Sequence, residues 1–280
     1  MYVAKDEGVR SMTALAALLV ALMAWWVGTG VILLAVRRAD VAGAGPLGLV
    51  LGGLPFLVFG LVGVPVAAGD ASVAGLYGGF FAALALWGWI ELSFMSGLIT
   101  GPNRAPLAPG ATGLARVWAA WWAVAWHEVL LLAGLVYVLW ATAGGAQAMA
   151  GWTFGVLYGA RVLAKLNLFL GVPGINHDAV PRELSHIPSY FRQGDPSVLF
   201  PISVIILSLG TALWLSRLAG AGSVEETVTF GLLSALTGLA LLEHWMMLLP
   251  MADTKLWRWL MPSRGEARPT PGHTGPQEQG

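Results

Sequence analysis

Long apolar segments separated by short polar loops recur along nearly the whole chain. Many of these segments approach the roughly 20 residues that an α-helix needs to cross a hydrocarbon core of about 30 Å. The segments are continuous, whereas the strands of a membrane β-barrel alternate between apolar and polar residues. The pattern therefore predicts an all-α polytopic membrane bundle of about seven transmembrane helices, at residues 12–36, 47–68, 72–100, 117–142, 148–172, 199–219 and 226–250.

The composition agrees with a membrane protein. Hydrophobic residues make up 57% of the chain and charged residues only 11%, against about 25% charged residues in a typical soluble domain. The formal net charge is zero and the basic residues form no block, so nothing indicates nucleic-acid binding. Because the chain has no cysteine, disulfides, thiolate metal sites and cysteine nucleophiles are excluded.

The distribution of basic residues predicts the orientation in the membrane. We call the side of the N-terminus side A and the opposite side side B. Basic residues are few in the side A loops and frequent on side B, which carries Arg37, Arg38, Arg104, Arg116, Arg182, Arg192, Lys255, Arg258, Arg264 and Arg268. The excess on side B predicts a periplasmic N-terminus and a cytoplasmic C-terminus in a bacterial cytoplasmic membrane.

The sequence predicts one transmembrane domain at residues 1–260 and a disordered polar tail at 261–280. The first apolar run is too long for a signal-peptide core and is therefore interpreted as a retained helix. The side B loop between the fifth and sixth spans is rich in proline, which permits only a short interfacial helix near residues 182–191. Trp257 and Trp259 are predicted to anchor the last span at the interface.

Charged and imidazole side chains inside the predicted spans form the main candidate site. Such groups are costly in a bilayer, so each one indicates a functional or structural site. With about 1.5 Å of rise per residue, they are predicted to share one layer on the order of 8 to 16 Å below the B surface. The layer contains Glu91, His127, Glu128, Arg161, Lys165, Glu243 and His244.

Three interpretations of this layer remain open from the residues alone. In the first, the acids pair with Arg161 and Lys165, which share one helix face, and hold the bundle together. In the second, His127 or His244 ligates the magnesium of a chlorophyll-type pigment, and Trp126 and Asn167 complete the candidate cofactor-binding set. The third is a carboxylate-bridged metal centre, which the adjacent His-Glu pairs disfavour because neighbouring helical side chains point about 100° apart.

The large side B loop holds a weaker candidate metal site. His177 and His186 lie near Asp178 and Glu183, but their scattered spacing favours a solvated loop. Motifs of conventional catalysts, such as a phosphate-binding glycine-rich loop with lysine or a nucleophile elbow, do not occur. The last span contains no lysine for a retinal Schiff base. The sequence therefore favours a non-enzymatic role.

Several local sequences resemble one known family. They are Trp87-Gly88-Trp89-Ile90-Glu91-Leu92-Ser93-Phe94, the His127-Glu128 pair, the run from Arg161 to Pro173, Ser189-Tyr190-Phe191-Arg192, and Leu242-Glu243-His244-Trp245. Together they are similar to the PuhE family of photosynthetic complex assembly proteins, over roughly residues 25–259. The most specific stretch is Ala-Lys-Leu-Asn-x-Phe-Leu-Gly-Val-Pro at residues 164–173.

The resemblance implies a membrane protein of anoxygenic phototrophic bacteria that aids assembly of the reaction centre and its core antenna, or influences bacteriochlorophyll supply. The expected partners are reaction-centre or core-antenna subunits, the lipid bilayer and bacteriochlorophyll. Two alternatives stay open: a membrane enzyme of bacteriochlorophyll metabolism that uses the Glu and His layer, and a permanent structural subunit of the photosynthetic complex. The resemblance identifies no catalytic residue.

Overall fold

A computed structural model describes residues 2–174 and 180–248 of the chain. Within this part, the long elements are eight α-helices: α1 (Tyr2–Ala42), α2 (Pro46–Gly52), α3 (Leu54–Ala68), α4 (Val73–Met95), α5 (Gly113–Thr142), α6 (Met149–Leu170), α7 (Leu199–Ala219) and α8 (Val224–Met246). Helices α2 and α3 form one broken span, so seven helical segments are long and apolar enough to cross a membrane. The predicted all-α polytopic bundle is confirmed.

Local sequence explains where several helices begin. Ser72 precedes α4 and accepts a hydrogen bond from the amide of Gly75, and Ser223 precedes α8 and accepts one from Glu226. Serine is favoured at these positions because its hydroxyl satisfies an amide that has no partner inside the helix. Proline occupies the first helical position of α2, where its missing amide hydrogen costs nothing.

The centre of the bundle consists of α4, α6 and α8, which contact one another. Around them, α1 packs on α8 and α4, α3 packs on α4, α5 packs on α6, α4 and α3, and α7 packs mainly on α8 and less on α6. Phe80 and Leu232 are fully buried in the core near side A, and Ile90, Leu131 and Phe154 are buried between α4, α5 and α6. Helix α6 therefore lies between two different sets of neighbours.

The length of helix α1 indicates the thickness of the bundle. Arg10 donates a hydrogen bond to the carbonyl of Ala221 in the side A loop between α7 and α8. Asp40, near the other end of α1, accepts one from the amide of Arg182 on side B. The helix between these contacts is about 45 Å long at 1.5 Å per residue, which matches a bilayer with its headgroup regions.

The structure corrects the predicted third and fourth spans. Helix α4 ends at Met95 instead of residue 100, and α5 begins at Gly113 instead of residue 117. The intervening segment 96–112 folds back against the middle of α5. There the carbonyl of Thr100 accepts a hydrogen bond from the amide of His127, and the amide of Asn103 donates to the carbonyl of Trp122. Hydropathy extended the span to residue 100 because it does not distinguish burial against protein from burial in lipid.

Residues 96–112 and 180–198 together form what we call the B-side cap. Instead of one interfacial helix, residues 182–191 contain two short 3-10 helices, Arg182–Leu184 and Ile187–Tyr190, because Pro188 interrupts the segment. Tyr190 joins the two parts of the cap: its hydroxyl donates to the carbonyl of Ala105 and accepts from the Asn103 amide, at 2.8 and 2.9 Å. The cap closes the side B end of α4, α5 and α6.

Candidate functional site

Two ion pairs connect α6 to its neighbours near side B. Arg161 of α6 contacts Glu91 of α4, with 2.7 Å between a guanidinium nitrogen and Oε2. Lys165, one turn further along α6, pairs with Glu128 of α5. Glu91 lies about 6 Å from the end of α4, and Lys165 lies about 8 Å from the end of α6. The structure thus brings these four residues together in two ion pairs. We call them, together with His127, the charged layer.

His127 is fully buried inside the charged layer. Its ring stacks on Phe94 with 4.1 Å between the ring centroids. Its Nε2 lies 3.8 Å from Oε1 of Glu91, too far for a hydrogen bond. The Phe94 ring also lies about 6 Å from the charged groups of Arg161 and Lys165. His127 thus occupies a site that the ion pairs and one aromatic ring already enclose.

The charged layer is balanced, with one cation for each carboxylate. A buried ion pair contributes little net stability, but removal of one partner leaves a charge in a low-dielectric environment and typically costs about 3 to 5 kcal/mol. The exposed fraction of the Arg161 side chain is 34%, against 11% for Glu91. This arrangement is what the structural interpretation of the layer requires: the charges fix the relative positions of α4, α5 and α6.

A second set of buried polar residues, none of them in an ion pair with another described residue, lies near the side B ends of α6, α7 and α8. Asn167 of α6 and Ser203 of α7 are both fully buried, and the Asn167 amide nitrogen donates to the Ser203 hydroxyl at 2.9 Å. His244 of α8 is also buried, and its Nδ1 lies 2.8 Å from the carbonyl oxygen of Ala240. We call Asn167, Ser203 and His244 the neutral centre. It lies within about 5 Å of the side B ends of α6 and α8.

The structure therefore separates the residues that the sequence placed in one layer. Glu91, His127, Glu128, Arg161 and Lys165 meet between α4, α5 and α6, whereas His244 of α8 lies apart from them. Glu243 is exposed on the surface of α8, so the structure does not enclose it with the other predicted residues. The reason is helical geometry: with His244 turned inward, the preceding residue points about 100° away.

Trp126, predicted as part of the cofactor-binding set, lies on the surface of α5 with 54% of its surface exposed. The part of α5 before His127 extends about 20 Å past the end of α4, and Trp118, Trp121 and Trp122 on this part are exposed as well. Their place at the side B end of the bundle is typical of an aromatic belt at the membrane interface.

Sequence reasoning missed Ser203, Phe94 and Gly101. Ser203 is one of two serines in the otherwise apolar first half of α7, with Ser208, which was the available signal. Gly101 gave no signal, because its role depends on a contact between the cap and α5: an added Cβ would lie 2.1 Å from the carbonyl oxygen of Trp122.

The loop histidines do not form a metal site that the structure can describe. His177 and Asp178 lie outside the described residues, as do Trp257, Trp259 and the tail at 261–280. His186 is buried in the cap, where burial and, to a smaller extent, the positive charge of Arg104 lower its pKa. Over residues 2–174 and 180–248, no group of three His, Asp or Glu is arranged to hold a metal ion.

Comparison with known proteins gives two matches and one negative result. Residues 11–268 match a family described as a protein of unknown function, DUF3623. A protein of Rhodobacter capsulatus, titled an uncharacterized 30.4 kDa protein in the 5′ region of puhA, is 42% identical over 260 residues, which cover 91% of this chain and 95% of the relative. No solved structure matches.

Proposed function

The chain belongs to the DUF3623 family, and from this premise we propose that it is a membrane assembly factor for the bacterial photosynthetic reaction centre and its core antenna. The observation that carries the proposal is the 42% identical relative in the puhA 5′ region, a photosynthesis-related gene context. The match extends over almost the whole length of both proteins, so this context concerns the entire bundle. The sequence resemblance to photosynthetic complex assembly proteins supports the same role.

The architecture supports a protein that acts within the bilayer. Seven membrane-spanning segments leave little of the described chain outside the membrane, and the B-side cap is held by hydrogen bonds to the ends of the helices. Arg116, for example, donates to the carbonyls of Phe169 at the end of α6 and Tyr190 in the cap. We propose that the side B half of the bundle, on the cytoplasmic side, contacts nascent reaction-centre or core-antenna subunits.

Bacteriochlorophyll is the ligand we propose for this half of the bundle. A buried imidazole with an available nitrogen is a suitable ligand for the magnesium of such a pigment, and among the described residues of the helices His127 and His244 are two fully buried candidates. When bound, the pigment supplies light absorption and a Lewis-acidic magnesium. The protein supplies an apolar environment, a nitrogen donor and exclusion of water.

The experiment that tests the assembly role is a gene deletion in the phototrophic host. We expect membranes of the deletion strain to lose assembled reaction centre and core antenna, as measured by near-infrared absorption, while the pool of bacteriochlorophyll precursors stays unchanged. Plasmid-borne wild-type protein should restore both complexes. Normal amounts of assembled complexes in the deletion strain would overturn the proposal.

The same strain distinguishes the two alternatives. Accumulation of a pigment precursor, with complexes restored when finished bacteriochlorophyll is supplied, would indicate an enzyme of pigment metabolism. Purification of the tagged protein with mature complexes at fixed stoichiometry would indicate a permanent subunit. An assembly factor is expected to copurify only with incomplete complexes.

The proposed orientation has its own test. A periplasmic N-terminus and a cytoplasmic C-terminus predict that alkaline phosphatase is active when fused after the first side B-to-A crossing and inactive when fused at the C-terminus. The reverse pattern would place side B in the periplasm.

A further inference from the structure

We infer that His244, rather than His127, ligates the magnesium of bacteriochlorophyll, and that the macrocycle enters through the seam between α6 and α7. The inference rests on the proposed function, because it names the residue and the entrance for the ligand proposed there. The supporting observations are the hydrogen bonds of the neutral centre, which join uncharged groups, whereas the charged layer contains ion pairs.

The hydrogen bond of His244 determines its tautomer. A backbone carbonyl can only accept, so the contact of Nδ1 with the carbonyl of Ala240 requires the proton on Nδ1. Nε2 then carries the lone pair, and it is buried with no hydrogen-bond partner in the described protein. Histidines that ligate metals commonly donate their other ring N–H to a carbonyl in this way, which orients the ring.

The rest of the neutral centre leaves only acceptors available. The Ser203 hydroxyl donates to the carbonyl of Leu199 and therefore accepts from Asn167. The Asn167 amide nitrogen also donates to the carbonyl of Leu163, which fixes the amide orientation and turns Oδ1 away from these partners. Oδ1 is buried with no partner. The two atoms without a partner among the described residues, Oδ1 of Asn167 and Nε2 of His244, are both acceptors, so each suits an electropositive ligand, such as a Lewis-acidic metal, and not an anion.

Helical register places these residues close to one another. Ala160, Leu207 and Ala240 pack together in one apolar cluster between α6, α7 and α8. From each of them, one or two turns toward side B lead to Asn167, Ser203 and His244 respectively, on the same helix faces. The neutral centre is thus the polar end of an apolar three-helix contact.

The seam between α6 and α7 is the weaker side of this contact. Helix α7 is fitted closely to α8, where Gly210 faces the Thr237 side chain and Gly238 faces the Thr211 side chain. Its packing on α6 is less extensive, and the Asn167–Ser203 hydrogen bond joins the two helices there. His244 is 1% exposed, so a macrocycle reaches Nε2 only when packed elements separate. The less extensive packing of α7 on α6 is our reason for assigning the entrance to this seam.

His127 lacks these features. One face of its ring is covered by Phe94, its Nε2 faces the carboxylate of Glu91, and the paired cations Arg161 and Lys165 lie around the same phenyl ring. Neither ring nitrogen has a hydrogen bond that would orient it for a metal. A macrocycle at His127 would have to disrupt the ion pairs that hold three helices.

The test compares two pigments and four proteins, the wild type and three variants. Bacteriochlorophyll a, or the magnesium-free bacteriopheophytin a as a control for the macrocycle alone, is added to the full-length protein in mild detergent, and binding is followed by absorption. We expect wild type to bind bacteriochlorophyll at least tenfold more tightly than bacteriopheophytin. His244→Ala should lose this preference, and His127→Ala should retain it. Ser203→Ala should accelerate bacteriochlorophyll entry several-fold.

A second measurement needs no substitution and therefore does not depend on whether a variant folds. Nitrogen-15 NMR of the histidine rings in the pigment-free protein should show His244 protonated on Nδ1 and unprotonated on Nε2, with the Nε2 signal shifting when bacteriochlorophyll binds. His244→Gln, which keeps a polar side chain of moderate size, should fold and still lose the preference for bacteriochlorophyll.

The outcomes separate the inference from the proposal beneath it. If His244→Ala retains binding while His127→Ala loses it, pigment binding stands and the assignment to His244 is overturned. If wild type binds neither pigment, both the pigment proposal and the assignment are overturned, and the two acceptors then bind water. The assembly role is measured independently by the gene deletion.

Discussion

The two faces of α6 satisfy polar side chains inside the bundle in different ways. Toward α4 and α5, the helix presents Arg161 and Lys165, each paired with a carboxylate. Toward α7, it presents Asn167 in a network of neutral hydrogen bonds. Both groups lie in the side B half of the bundle, and one is charged whereas the other is neutral.

The difference shows which face can change. Ion pairs in a low-dielectric environment resist separation, because each charge left alone is strongly destabilised. Neutral hydrogen bonds between membrane helices contribute only about 0.6 kcal/mol on average. The charged face is therefore suited to fixing α4, α5 and α6, and the neutral face to a helix that moves when a ligand enters.

The largest effect is expected from Arg161→Leu, which leaves Glu91 unpaired. Because Arg161 is partly exposed, we expect a loss near the lower end of the usual range, about 3 kcal/mol, measured by denaturant or thermal unfolding in detergent. The double variant Glu91→Gln/Arg161→Leu should recover most of this loss. If the single and double variants are equally destabilised, the pair does not hold the charged face.

Gly101→Ala tests whether the cap stabilises the charged face from outside. The added methyl group would overlap the carbonyl oxygen of Trp122, so the cap must shift and the bond between His127 and Thr100 should weaken. We expect about 1 to 3 kcal/mol of destabilisation and faster amide hydrogen exchange at His127. Gly194→Ala is the matched control, since nothing lies within 4 Å of its added Cβ.

Ser203→Ala tests the neutral face. It removes one acceptor of the Asn167 amide, while the bond of that amide to Leu163 remains, so we expect a loss of about 0.6 kcal/mol, and below about 2 kcal/mol in any case. Ser234→Ala provides the control, because the Ser234 hydroxyl is buried without a partner in the described protein. A loss at Ser203 as large as that of Arg161→Leu would contradict the proposed difference between the faces.

The smallest effect concerns pH and the cap. In the folded protein the pKa of His186 is lowered below its unfolded value of about 6.5. Above pH 6.5 the imidazole is therefore mainly neutral in both the folded and the unfolded protein. As pH falls from 6.5 toward the folded pKa, the unfolded state binds the proton first, and stability decreases. His186→Asn should flatten this part of the stability curve. An unchanged curve would show that His186 does not cause the dependence.

The sequence alone was sufficient for the fold class and for much of the charged face. Continuous apolar runs predict helices because only internal hydrogen bonding satisfies a backbone in lipid. Charges inside such runs predict pairing because an isolated charge there is too costly. The one-turn spacing of Arg161 and Lys165 indicated a common face, and Glu91 and Glu128 were correctly expected among their candidate partners.

Tertiary structure alone decided how the polar residues divide. Hydropathy and position along a helix indicate which residues lie within the bilayer, but they carry no information about which helix lies beside them. For this reason the sequence grouped Glu243 with the other charged residues and assigned segment 96–100 to a membrane span. The packing of α6 between two sets of neighbours decides that Arg161 pairs with Glu91 and Lys165 with Glu128. It also brings Asn167 to Ser203. Such contacts join residues far apart in the chain, and only the folded bundle determines them.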